Sequence, residues 1–120
     1  MEDIAITGLG VISSIGHNVD EFCQNLSAGH VAAGPTPWNN EDGLENVWMS
    51  KVENFQAEDW MDSRVADGTD PFAQYAIAAA VQAVESCGIK DFDDERTAVV
   101  IGTSCAGTEV IANSQRVPDL

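Results

Sequence analysis

The chain has 120 residues, 44% of them hydrophobic and 7% aromatic, with 20 Asp and Glu set against 5 Lys and Arg. That length makes one small domain, or part of a larger one, and lets a folded chain hide roughly two-thirds of its unfolded surface. The formal net charge of −15 argues against nucleic acid and anionic membrane surfaces as partners, because both carry negative charge themselves; it fits a solvated surface suited to high salt.

No apolar run approaches the roughly 20 residues of a membrane-spanning helix, and the N-terminus lacks the basic flank and apolar stretch of a signal peptide. Cys23, Cys87 and Cys105 are odd in number and never spaced as CxxC, which is the usage of free thiols in a reducing cytoplasm. His17 and His30 share no ligand-like spacing with them, so neither a metal nor a cofactor is expected.

In chain order, "DIAITG" (3–8) reads as a buried strand, with β-branched Ile4 and Ile6 and a glycine at its end. After a glycine-containing loop, "NVDEFCQNLSAG" (18–29) carries a helix signature. Asn18 is a natural N-cap, Glu21 three residues on completes a capping-box pattern, and Gly29 is placed to stop the helix. Phe22, Cys23 and Leu26 share one face at helical spacing. Residues 31–46 hold Gly34, Pro35, Pro37, Asn39, Asn40 and Gly43, a loop composition. "VWMSKV" (47–52) is a weak strand candidate, and the polar stretch 54–70 has three apolar anchors, Phe55, Trp60 and Met61.

The strongest helix is "DPFAQYAIAAAVQAVESCG" (70–88). Asp70 caps it, Pro71 occupies the first helical position, where its missing N–H costs nothing, and Gly88 ends it. Phe72, Tyr75, Ala76, Ala79, Ala80, Ala83 and Cys87 form a face whose small residues predict close approach of another backbone. A polar spacer then leads to "AVVIG" (98–102), a second apolar strand running into the glycine loop "GTSCAGTE" (102–109). Apolar strands separated by helices predict an α/β fold with a parallel, two-sided sheet.

The glycines at 8, 10 and 16 invite a phosphate-cradling reading, which the spacing does not support. A dinucleotide fingerprint needs Gly or Ala where Ser13 stands, and a helix starting beside the second glycine. Here the cap at Asn18 lies eight residues past Gly10, and no Gly-Lys-Ser/Thr occurs anywhere. Glycine used to let the chain turn tightly out of a buried strand fits better.

Four stretches in order resemble the β-ketoacyl-acyl-carrier-protein synthases of the thiolase-like fold. These are "ITGLGVISSIGHNVDEFCQNLSAG", "SKVENFQAEDWMD", "DPFAQYAIAAAVQAVESCGI" and "AVVIGTSCAGTE". The resemblance covers nearly the whole chain and is weakest at 31–46 and after 110. It implies an α/β fold, the N-terminal part of a layered α-β-α-β-α architecture, with residues 1–120 an incomplete N-terminal synthase domain. It also implies a decarboxylating condensation, in which a cysteine takes an acyl chain as a thioester and malonyl-carrier protein loses CO₂. The resulting carbanion attacks that thioester while two histidines stabilise the developing oxyanions, an activated thiolate working with preorganised donors.

By the same resemblance the nucleophilic cysteine and both catalytic histidines are expected beyond residue 120, so no residue here is assigned a catalytic role. Position 105 matches the floor of the family's acyl pocket, which makes Cys105 a substrate-binding candidate, weighed evenly against a plain core residue. Cys23 and Cys87, on apolar helix faces, are expected to be core thiols. His17 is expected to face solvent beside the first cap, and His30 to sit at the helix C-terminus, where the dipole favours positive charge.

As partners the resemblance implies acyl-carrier protein and a homo- or heterodimer at full length. The residues complicate the first, since "DSRVADGTD" sets Arg64 against Asp62, Asp67 and Asp70. A chain of net charge −15 repels an acidic partner at long range. Two alternatives remain open on the sequence: a non-catalytic chain-length-determining partner of a polyketide synthase, and a small α/β binding domain.

Overall fold

A computed structural model of the chain describes residues 3–36 and 46–107. The elements are α1 (Val19–Ser27), β1 (Ala33–Pro35), β2 (Trp48–Ser50), a 3₁₀ turn (Ala57–Asp59), α2 (Ser63–Gly68) and α3 (Pro71–Cys87).

Both expected helices form, and their ends follow the expected chemistry. At the start of α1 the Asn18 side chain accepts from Glu21 N at 2.8 Å. Glu21 reaches back one residue further than a standard capping box, its Oε2 accepting from His17 N at 2.8 Å. At the other end Gly29 takes φ +71, and His30 N donates to Asn25 O (2.9 Å) while Gly29 N donates to Leu26 O (3.1 Å). That pair of bonds is a Schellman motif, and only a residue at ease with positive φ closes it cheaply. Asp70 caps α3, Pro71 opens it and Gly88 ends it in the left-handed conformation.

The sheet differs from expectation. Among the described residues it has two strands, antiparallel, with Ala33 opposite Ser50, Gly34 opposite Met49 and Pro35 opposite Trp48. β2 falls within the weak strand candidate 47–52, whereas β1 lies in the stretch whose Gly and Pro content reads as loop. A proline is tolerated there because this short strand offers it an edge.

Residues 3–8 and 98–102 form no strand. Their apolar composition is strand-like, but a strand exists only through its ladder, and neither segment meets a neighbouring strand among the described residues. Nor is either buried: Ile4 is 98% exposed, Ile6 83%, Val99 86% and Val100 92%.

The buried centre is made of small side chains. Ala57 in the 3₁₀ turn, Ala66 in α2 and Ala78 in α3 are buried, and among the described residues no large side chain is fully so. α2 and α3 both pack on the 3₁₀ turn. Gln74 ties the two helices, its Nε2 donating to Ala66 O (2.8 Å) and Thr69 O (3.1 Å). The anchors Phe55, Trp60 and Met61 are half-buried around this joint. On α3, Tyr75, Ala76, Ala79, Ala83 and Cys87 are at least partly covered, as their shared face predicts, but Phe72 and Ala80 are exposed and the most buried position is Ala78. The covered surface wraps further round the helix than one stripe, because the N-terminal segment lies along Ala79 and Ala83 while the 3₁₀ turn and the Gln74 bonds meet the helix elsewhere.

Candidate functional site

The glycine exit from residues 4–7 lies along α3. A Cβ on Gly8 would sit 2.0 Å from Ala83 O, and one on Gly10 would sit 1.9 Å from Ala79 O. Neither distance is physically possible, so these glycines serve close approach to a helix backbone, as the alanine-rich face predicts. Between and just beyond them the chain is held by two polar side chains of α3. Leu9 N donates to Ser86 Oγ at 3.0 Å, and the Ser86 hydroxyl lies 3.2 Å from Leu9 O. Val11 N donates to Gln82 Oε1 and Gln82 Nε2 donates to Val11 O, both at 3.3 Å, with a further bond from Nε2 to His17 O at 2.8 Å.

The spacing explains the fit. Two residues of extended chain advance about 6.7 Å, and four residues of helix rise about 6 Å. Contacts of Leu9 with Ser86 and Val11 with Gln82, and of Gly8 with Ala83 and Gly10 with Ala79, therefore stay in step along an antiparallel path. Gln82 and Ser86 satisfy backbone groups that a neighbouring strand would otherwise take. Sequence reasoning missed both; the available signal was a pair of polar residues four apart, interrupting an alanine face within reach of a Gly-x-Gly segment.

Beyond Val11 the loop closes on itself and on α1. Ser13 and Gly16 form a bridge, with Ser13 N donating to Gly16 O at 2.9 Å, and Asn25 Nδ2 donates to Ile15 O at 2.7 Å. His17 is half-buried, its ring edge-on to Phe55 at 6.2 Å, and Phe55 stands edge-on to Tyr75 at 4.9 Å. This corrects the solvent-facing expectation for His17: the loop folds back so that its ring joins an aromatic row reaching α3. His30 is exposed just past the C-terminus of α1, as expected.

Cys23 is exposed and Cys87 half-buried, so the core-thiol expectation is corrected for Cys23, whose face of α1 is not covered. Cys87 Sγ donates to Val84 O at 3.0 Å and accepts from Ile89 N at 3.4 Å. Cys105 is exposed in the turn that follows residues 98–102. Among the described residues no hydrogen bond joins a cysteine to a histidine, the pairing that would activate a thiol as nucleophile. Nor does any group of three His, Cys, Asp or Glu among them form a metal-holding cluster.

Two larger clefts flank the docked segment. One, of about 730 Å³, runs along Ile6–Leu9 between the start of α1 and the Gln82–Ser86 turn of α3. The other, of about 720 Å³, opens between the 14–17 loop, α1 and the β1–β2 hairpin. Cys105 lines neither. No helix among the described residues is long and apolar enough to cross a membrane.

The β-ketoacyl synthase N-terminal domain matches the chain over residues 1–118. The chain belongs to that family. Curated relatives agree. The chain is 27% identical to a 3-oxoacyl-(acyl-carrier-protein) synthase 2 of Synechocystis over 116 residues, covering 95% of this chain and 28% of the relative. It is 29% identical to the synthase 2 of Vibrio cholerae, covering 90% of this chain and 27% of the relative. To that of Staphylococcus aureus it is 32% identical, covering 93% and 28%. The chain thus spans between about a fifth and a third of the length of the curated relatives it matches. In this β-ketoacyl synthase N-terminal domain the described residues hold helices and a small antiparallel sheet, and the opening glycine motif is a helix-docking device.

Proposed function

We propose that the chain is the N-terminal part of a β-ketoacyl-acyl-carrier-protein synthase, which lengthens acyl chains in the cytoplasm by decarboxylating condensation with malonyl-carrier protein. The observation that carries this is the family match over residues 1–118, supported by relatives named as 3-oxoacyl-carrier-protein synthases. In this reading residues 1–120 form an incomplete domain of the layered thiolase-like architecture. The exposed apolar segments 3–7 and 98–101 are its unfinished strands, and the nucleophilic cysteine and oxyanion-stabilising histidines come from chain beyond residue 120. Among the described residues the hydrogen-bonded cysteine sulfur is that of Cys87, whose partners are Val84 O and Ile89 N.

Cys105 is proposed to line the acyl pocket once that architecture closes over its loop. A small, polarizable side chain there leaves room for an acyl chain. Carrier protein is the proposed acyl donor, and the net charge of −15 makes its docking dependent on basic residues elsewhere or on salt that screens repulsion.

A chimera tests the reading. Residues 1–120 replace the matching segment of the Staphylococcus aureus relative, and CO₂ release from malonyl-carrier protein is followed alongside the 120-residue chain alone. The chimera condenses and the chain alone does not. A soluble, folded chimera that never condenses, or CO₂ release by the chain alone, overturns the proposal. Within an active chimera, Cys105→Phe shortens the longest product while leaving the shortest acyl substrates turning over; unchanged product lengths remove Cys105 from the pocket.

A further inference from the structure

Residues 12–30 are bonded largely to themselves. The Asn18 side chain accepts from Glu21 N, and Glu21 Oε2 accepts from His17 N, both at 2.8 Å. Asn25 Nδ2 donates to Ile15 O at 2.7 Å, Ser13 bridges to Gly16, and the Gly29 end closes on Asn25 O and Leu26 O. These bonds make the 13–17 loop and α1 one piece.

The ties from this piece to the rest of the fold are few. α1 has no buried residue, whereas the 3₁₀ turn, α2 and α3 each bury an alanine and the turn packs on both helices. Among the described residues, α3 reaches residues 12–30 through one hydrogen bond, from Gln82 Nε2 to His17 O at 2.8 Å. A hydroxyl contact from Ser50 to Ser14 and the edge of the His17 ring on Phe55 add to it. A helix of nine residues is too short to persist in water without such support.

The same residues bound a cleft. Asn18, Val19 and Asp20 line one side of the space of about 730 Å³ along Ile6–Leu9, and Gln82, Glu85 and Ser86 line another. The Gln82 bond runs from the α3 side to the residue just before Asn18, so it sets how far apart the two sides stand.

We propose that residues 12–30 are a hinged wall of this cleft, clasped by Gln82, and that they open from α3 as one cooperative unit while α2, α3 and the 3₁₀ turn stay folded. The opening widens the cleft along Ile6–Leu9 and is independent of the condensing reaction.

Native-state hydrogen exchange, followed by NMR on the full 120-residue chain across low urea concentrations, tests this. The amides of Phe22, Ala28 and His30, each hydrogen-bonded in or beside α1, exchange through one shared opening. Their protection is about tenfold or more below that of the Ala78–Val81 amides in α3, and it depends less steeply on urea because less surface is exposed. Two variants separate local from global opening. Gln82→Leu lowers the protection of the α1 amides by about fivefold or more, since a bond that opening must break is already absent. Gln74→Leu removes the bonds from α3 to Ala66 O and Thr69 O, which the opened state keeps, so it lowers protection in α3 and leaves α1 unchanged. Equal protection with equal urea dependence in α1 and α3 of the parent overturns the proposal. So do α1 amides that are unprotected or exchange independently of one another, an α1 unaffected by Gln82→Leu, or an equal loss in both helices from Gln74→Leu.

Discussion

Two joints in this chain look alike in sequence and differ in structure. "IAITGLG" and "AVVIGTS" are each a β-branched apolar run ending in a glycine loop. The first is docked: Gly8 and Gly10 abut the carbonyls of Ala83 and Ala79, and Ser86 and Gln82 hold the backbone between and beyond them. The second is open, with nothing within 4 Å of a Cβ placed on Gly102 or Gly107. Upstream of both glycines the apolar runs are equally bare, Ile4 at 98% and Val100 at 92% exposure. The difference lies in what faces the glycines, and α3 faces only the first joint.

Substitution at the first joint has the largest expected effect. Gly10→Val puts a branched side chain where even a Cβ would overlap Ala79 O. Overpacking of this kind costs about 1–3 kcal/mol or more, and backbone cannot yield as a flexible side chain does. Urea unfolding followed by far-ultraviolet circular dichroism should show the midpoint falling accordingly. A variant that unfolds like the parent would mean that residues 8–11 do not lie on α3.

Gln82→Leu comes next. It removes three hydrogen bonds and leaves Val11 N, Val11 O and His17 O without those partners. These groups are part-buried, so the cost is about 1–3 kcal/mol, and the Val11 amide should exchange with solvent much faster. Ser86→Ala removes the more exposed Leu9 pair and a bond to Ala83 O within α3, and should cost less. Equal effects from the two would show that the loop is held by something other than the Gln82 amide.

How much of this was legible depended on the range of the forces involved. The helices were readable because their determinants are local: Asn18 and Asp70 at the caps, Pro71 inside one start, Gly29 and Gly88 past the ends. Small residues on α3 foretold a close neighbour, and Gly8 and Gly10 proved to be it. The strands were misjudged at 3–8 and 98–102 because a ladder is non-local, and apolar composition does not supply a partner. α2 was missed because six residues, SRVADG, carry no periodicity; Asp62, whose side chain accepts from Arg64 N at 2.9 Å, was the one cue. Cys105 could be placed in its loop by sequence, but what surrounds it could not, since residues 102–107 have few neighbours of their own.

The two caps offer a finer version of the comparison. Asn18 receives its bond at 2.8 Å, whereas Asp70 receives one from Phe72 N at 3.5 Å. Replacing Asn18 by Ala should cost about 1 kcal/mol, and replacing Asp70 by Ala distinctly less. Thermal melts of the two variants check the order, and the reverse order would place the stronger anchor at α3. Thiol labelling reads the same contrast between docked and open regions: Cys23 and Cys105 are exposed, while Cys87 is half-buried with its sulfur in two hydrogen bonds. A disulfide-exchange reagent should therefore modify Cys87 last.

The smallest expected effect is the most discriminating. Gly102→Ala adds a methyl group into open space at a position without positive φ, so stability should change by no more than about 0.5 kcal/mol. Gly8→Ala makes the same chemical change against Ala83 O and must force the segment off α3. The pair holds residue type, added volume and sequence context nearly constant and varies only what lies opposite. If Gly102→Ala proves as damaging as Gly8→Ala, then residues 98–107 are packed in solution against a surface this fold leaves bare, and the two joints are alike after all. A null effect at Gly102 beside a large one at Gly8 would establish that the opening motif is glycine-rich because of α3, and that its echo in the second joint carries no such requirement within these 120 residues.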